Sequence, residues 1–170
     1  MNVIEKKVTI TSRALYSEDK SNRYLLERIW DDRLPIAAVL MLNPSIAGEI
    51  KTDRTVMNVI NYLIDNGFGG TRVINLFSHV STPQSGLKSR DVFQDSINND
   101  YIEKAIEDSC TSIIAWTRGS YTHRKEEVLK LIEKYRDKVK IFVDEDGIEG
   151  RHPLHLKENW GLKEYNFKIY

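Results

Sequence analysis

Apolar residues recur at two different spacings along this chain, and the switch between them divides it. Near the start the period is two: Val8-Thr9-Ile10-Thr11 alternates as a half-buried strand does, and Ala14-Leu15-Tyr16-Ser17 continues it or begins another. Glu18 to Asn22 is a polar turn. Arg23 to Trp30 alternates again, with Tyr24, Leu26, Arg28 and Trp30 on one side, and is expected to pair antiparallel with the first strand. From Ile36 the rhythm becomes strand, helix, strand, helix. Ile36 to Leu42 is apolar throughout, the mark of a strand covered on both faces. Val56, Val59, Ile60, Leu63 and Ile64 then form an amphipathic helical stripe, with Thr52 or Asp53 placed to cap it and Asn66-Gly67 to end it. Arg72 to Phe77 is the next strand, and a long polar stretch, Ser78 to Ser96, follows it. A second helix carries Ile97, Tyr101, Ile102, Ala105 and Ile106. Thr111 to Trp116 is a third core strand. Val128, Leu131, Ile132 and Tyr135 mark a third helix, Lys140 to Val143 the last core strand, and Glu164 to Tyr170 a short terminal one.

Such alternation predicts one α/β domain over residues 1–170, built as three layers, α/β/α. Its central sheet is expected to be mostly parallel, with an N-terminal antiparallel strand pair added. Open sheets of this kind bind ligands outside the carboxyl ends of their strands. That rule selects four loops: Asn43 to Thr52, Ser78 to Ser96, Thr117 to His123 and Asp144 to Leu156.

Composition narrows the picture. A length of 170 residues suits a single domain, and one cysteine, Cys110, leaves no disulfide framework within a copy. The first residues lack the apolar core of a signal peptide, and no apolar run approaches the roughly 20 residues of a membrane span. A cytoplasmic protein without membrane contact is expected. Lys and Arg balance Asp and Glu at 25 each, so the formal charge is zero. That disfavours a dedicated duplex-binding surface and suits a small nucleotide or nucleobase better.

The unusual polar residues gather in the selected loops, and each has an ordinary reading beside a functional one. In Asn43-Pro44-Ser45, Pro44 fixes its own φ and biases Asn43 toward an extended backbone, so this is either a plain Asx-Pro turn or a rigid mount for the Asn43 amide. In Arg151-His152-Pro153, His152 is a solvated turn residue or a donor to developing negative charge. Asn75 and Phe77 end a strand. Phe77 is core or a stacking platform, and Asn75 could read a base edge. Trp116 and Arg118 end another strand, as packed and solvated side chains or as a stacking platform and a phosphate partner. Asp53 is a helix cap or a ligand. The four histidines have no metal spacing, and no glycine-rich phosphate or dinucleotide loop is present, so neither metal nor cofactor is expected.

Read together and in order, these segments resemble a known family. Tyr24-x-Leu26-x-Arg28-x-Trp30, Leu42-Asn43-Pro44-Ser45-x-Ala47, Asp53-x-Thr55, Gly67-Phe68-Gly69, Asn75-Leu76-Phe77, Ala115-Trp116 and Arg151-His152-Pro153-Leu154 are similar to the pattern of a bacterial and phage family called domain of unknown function 1643. More distantly, the order of elements resembles the uracil-DNA glycosylase superfamily. Members of that superfamily carry Asn-Pro after the first core strand and His-Pro-Ser near the end. The resemblance implies a glycosylase-like fold in which Asn43 positions an attacking water and His152 supports the departing base. Ser45 and Leu154 stand where that superfamily has Gly and Ser. The implied substrate-binding residues are Pro44, Ser45, Asp53, Asn75, Phe77, Trp116, Arg118 and Arg151. Two functions are consistent with this reading: hydrolysis or exchange of an N-glycosidic bond, or nucleotide capture without turnover, as a sponge or sensor in phage–host conflict.

Overall fold

The computed structural model describes residues 3–80 and 96–167. The chain begins with two strands, β1 (Thr11–Tyr16) and β2 (Arg23–Ile29). It continues through β3 (Ile36–Met41), α1 (Arg54–Asp65), β4 (Gly70–Asn75), α2 (Ser96–Glu107), β5 (Thr111–Ile114), α3 (Thr122–Ile132), β6 (Val139–Val143) and β7 (Gly161–Glu164). Two 3-10 segments, Glu133–Lys138 and Pro153–His155, flank β6 in sequence. All seven strands form one sheet in the order β1-β2-β4-β3-β5-β6-β7.

The expectation of a mostly parallel sheet is corrected. β3 pairs parallel with β4 and with β5, and β5 with β6, but β1–β2, β2–β4 and β6–β7 are antiparallel. The N-terminal hairpin is therefore part of the main sheet. β2 lies between two strands and is buried from Arg23 to Arg28, which its imperfect alternation did not suggest. β1 starts at Thr11, so Val8 to Ile10 lies outside it, with Val8 and Ile10 exposed. The C-terminal strand runs Gly161–Glu164 rather than from Glu164 onward; residues 168–170 of the expected span lie outside the described residues. So does most of the polar stretch after β4, residues 81–95.

Alternating strand residues serve two apolar clusters. Val39, Met41, Val73, Ile113 and Phe142 pack with Val56, Val59, Tyr62 and Leu63 of α1 and with Trp160. Leu40, Ile74, Ile114 and Ile141 pack with Ile102 and Ile106 of α2 and Val128 and Ile132 of α3. α1 follows the expected stripe with one exchange. Tyr62 is buried in place of Ile64, because its ring lies edge-on to Phe142, 5.3 Å away, and its hydroxyl donates to the Trp160 carbonyl at 3.0 Å. Asp53 caps α1, its Oδ1 accepting from the Val56 N–H at 2.8 Å, and Gly67, at φ +77°, follows the Asn66 C-cap. α3 stops at Ile132, and Tyr135 of the expected stripe lies in the 3-10 segment with non-helical torsions.

Two arginines of β2 tie the sheet to the loop after β3. Arg28 donates from Nη2 to the carbonyls of Gly48 (2.9 Å) and Lys51 (3.0 Å) and from Nη1 to the Thr52 hydroxyl (3.1 Å). Arg23, 2% exposed, donates from Nη1 to the Ala47 carbonyl. The loop is thus folded back over β2 by charge-assisted bonds to its backbone. Across the other face of the sheet, Glu27 bridges Arg13 of β1 (2.6 Å) and Arg72 of β4 (2.7 Å).

Candidate functional site

Parallel pairing of β3, β4 and β5 sends their carboxyl ends to one edge. Met41 is in register with Asn75, so Asn43 leaves β3 beside the strand end that carries Asn75. Asn75 follows Val73 by two residues and so shares its face, the one covered by α1. It is 1% exposed, and among the described residues neither its Nδ2 nor its Oδ1 has a hydrogen-bond partner. The backbone carbonyl of Asn75 is satisfied separately, by Asn98 Nδ2 at 3.0 Å.

Asn43 is half-buried, and its Nδ2 donates to the Pro44 carbonyl at 3.1 Å. Pro44 is buried and Ser45 half-buried. Asp53, at the start of α1, brings the loop to the second constellation. Its charge acts on Arg23, on Arg28 and on His152. The His152 segment is held against α1 by Asn58, whose Nδ2 donates to the carbonyls of Pro153 (3.2 Å) and Leu154 (2.9 Å). Asn43 thus leaves its strand beside Asn75, and Asp53, ten residues further on, acts on His152.

Burial pushes the His152 pKa below its ordinary 6.5, the charge of His155 pushes it the same way, and Asp53 opposes both. Burial thus favours the neutral imidazole. Its Nδ1 accepts from the Leu154 N–H at 3.1 Å, which leaves the proton on Nε2. That N–H has no partner among the described residues. Arg23 is pushed down by burial and raised again by Tyr16 and Asp53. Arg23 and Arg28 are the residues the sequence pattern did not single out as part of the site. The available signal was two arginines inside a strand of otherwise apolar rhythm.

Phe77, Trp116, Arg118 and Arg151 have contacts of their own, and the Phe77 N–H donates to the Leu42 carbonyl at 3.1 Å. Phe77 is buried in the α2–α3 cluster with its ring 5.2 Å from Tyr121 and edge-on to it. Trp116 is buried in the same cluster. Arg118 pairs with Glu149 at 3.1 Å and lies over Gly150, where a Cβ would sit 3.0 Å from the arginine Cγ. Arg151 donates from Nε to Asp144 Oδ2 at 2.9 Å, and Asp144 Oδ1 accepts from the N–H groups of Asp146 and Ile148. Arg151 thereby shapes the turn after β6. Among the described residues, no three His, Cys, Asp or Glu side chains gather as metal ligands, and no helix is long and apolar enough to cross a membrane.

These features define an α/β protein with a mixed seven-stranded sheet and a polar cluster at its parallel strand ends. The model of the family described as "Protein of unknown function (DUF1643)" matches residues 23–154, a span that contains both the arginines of β2 and His152, and the chain belongs to that family. No curated protein and no solved structure matches it.

Proposed function

We infer that this protein recognises a nucleobase, free or within a nucleotide, at the ends of β3 and β4 and hydrolyses its N-glycosidic bond. The observation that carries the reading is Asn75. A buried side-chain amide with both donor and acceptor unspent is costly, by about 1–3 kcal/mol for each such group. A base edge, which offers an acceptor beside a donor, offsets that cost. His152 supports the reading: as the base departs with the electron pair of the broken C1′–N bond, the neutral Nε2–H donates to it. Asn43 orients the water whose oxygen bonds to C1′, and the water's proton passes to solvent or to the base. The zero net charge favours a free nucleotide over a duplex, which would require base flipping. A glycosylase-like arrangement of layers and a cytoplasmic setting fit this reading.

One observation favours capture without turnover. Asp53, the carboxylate whose charge reaches His152, is already engaged as the α1 cap and also acts on Arg23 and Arg28. It is poorly placed to act as a base. Incubation with a panel of nucleosides and nucleotides, followed by mass spectrometry, separates the two. Release of free base that falls at least 100-fold in both Asn43→Ala and His152→Ala supports hydrolysis. Tight binding with intact ligand recovered, and lost in Asn75→Ala, supports capture. Neither binding nor release of any base-containing compound ends both.

A further inference from the structure

Trp116 and Arg118 line a cavity of about 540 Å³. It lies at the carboxyl ends of β5 and β6, between α3 and the segment after β7. This is a volume typical of small-molecule sites. Its apolar wall is formed by Trp116, Leu129, Ile141 and Tyr165. Two of these are aromatic, and the indole N–H of Trp116 has no partner among the described residues.

The charges around it are unequal in their partners. Arg118 is matched by Glu149, which also pairs with Lys163. Among the described residues Lys125 has no carboxylate partner. It is 9% exposed, and its Nζ donates to the Thr117 carbonyl at 2.6 Å, which uses one of three N–H groups. Burial lowers its pKa, and no carboxylate charge opposes that shift. Glu126, on the same wall, is half-exposed and makes no salt bridge to Lys125. A buried ammonium with only a carbonyl for company favours an anion that can be desolvated beside it.

We propose that this cavity binds a small organic anion of single charge with a planar aromatic body, its acid group on Lys125 and its ring against Trp116 and Tyr165. A phosphate monoester brings a second negative charge for which the cavity holds no second unmatched cation. This site is independent of the reading of Asn75 and His152 and stands or falls without it.

The test uses the full chain with 2-naphthoate and its uncharged analogue 2-naphthamide, titrated by calorimetry and tryptophan fluorescence. The expected result is saturable binding of one naphthoate per chain, with the amide at least tenfold weaker. Lys125→Met, checked for folding by circular dichroism, reduces naphthoate affinity at least tenfold and brings the two compounds level. Leu129→Trp, which fills the cavity, removes both. Equal binding of acid and amide to the wild-type chain overturns the proposal, as does absence of saturable binding. Wild-type affinity in folded Lys125→Met overturns it too. Should Lys125→Met not fold, the acid–amide comparison on the wild-type chain decides alone.

Discussion

Individual side chains carry most of the chemistry, and two of them give measurable pH behaviour. His152 is held neutral because burial lowers its pKa below 6.5. In the unfolded chain it takes a proton as pH falls through 6.5, whereas the folded chain resists. Within the window below 6.5, down to the folded pKa, the unfolded state binds more protons, so stability declines as pH drops. His152→Gln should flatten that decline, read as a shallower loss of urea-unfolding free energy between pH 7 and pH 5. An unchanged slope would show that His152 does not contribute to it. Glu27 works through the opposite sign. Burial raises its pKa, but the hydrogen bonds and charges of Arg13 and Arg72 outweigh burial and leave it lowered. Its contribution is present above the unfolded pKa and is lost as pH falls through the folded one. Glu27→Gln leaves Arg72 without its counter-charge and should cost about 3 kcal/mol in urea unfolding. A cost under about 0.5 kcal/mol would mean the pair is solvated after all. At this scale the sequence was informative about identity and silent about partners. His152 and Asn43 stand out in the sequence by residue type, and the contacts of each depend on other segments. Arg118 and Arg151 were legible as exposed cations, but their carboxylates, Glu149 and Asp144, are matched only by the turn after β6.

Secondary elements were read from periodicity, and their errors have local causes. α1 was legible from cap to stop because Asp53, the apolar stripe and Asn66-Gly67 all agree. α2 was legible less fully. Ile97 is exposed and Asn98 is buried, since Asn98 holds the carbonyls of Asn75 and Leu76 at the end of β4. β2 pairs antiparallel with β1 as its alternation suggests, but its burial from Arg23 to Arg28 is not legible because Arg23, Glu27 and Arg28 look like a solvated face. Their partners, one loop backbone and two arginines, come from elsewhere in the chain. The turn between α1 and β4 gives a sharp test. Gly69 donates to the Pro35 carbonyl and accepts from the N–H groups of Trp30 and Asp31. A Cβ there would lie 1.8 Å from the Asp31 carbonyl oxygen. Gly69→Ala should therefore destabilise by about 3 kcal/mol, while Gly161→Ala, with nothing within 4 Å, should change stability by less than about 0.5 kcal/mol. Equal melting shifts in the two variants would contradict this packing.

At the level of the whole molecule, stability is expected to fall from the centre of the sheet to its edges. β3 lies between β4 and β5, and residues such as Val39 and Leu40 are fully covered, while β1 and β7 each have one neighbour and several exposed positions. Amides of β3, β4 and β5 should exchange hydrogen only at the global unfolding free energy, with β1 and β7 opening earlier. Exchange in β1 as slow as in β3 would require a cover over that edge. The sequence by itself determined the α/β class, the order of most elements, the apolar residues that fill the two clusters and the concentration of polar groups in strand-end loops. Each of these follows from local spacing, which one chain segment sets alone. Only the tertiary structure decided that the hairpin joins β4 antiparallel, that Arg23 and Arg28 hold the Asn43 loop, and that Asn75 is buried with its amide unpaired among the described residues. It also decided that Trp116 and Arg118 line one cavity with Lys125 and Tyr165. These depend on which distant segments share a strand edge or a face, and no local periodicity encodes that pairing.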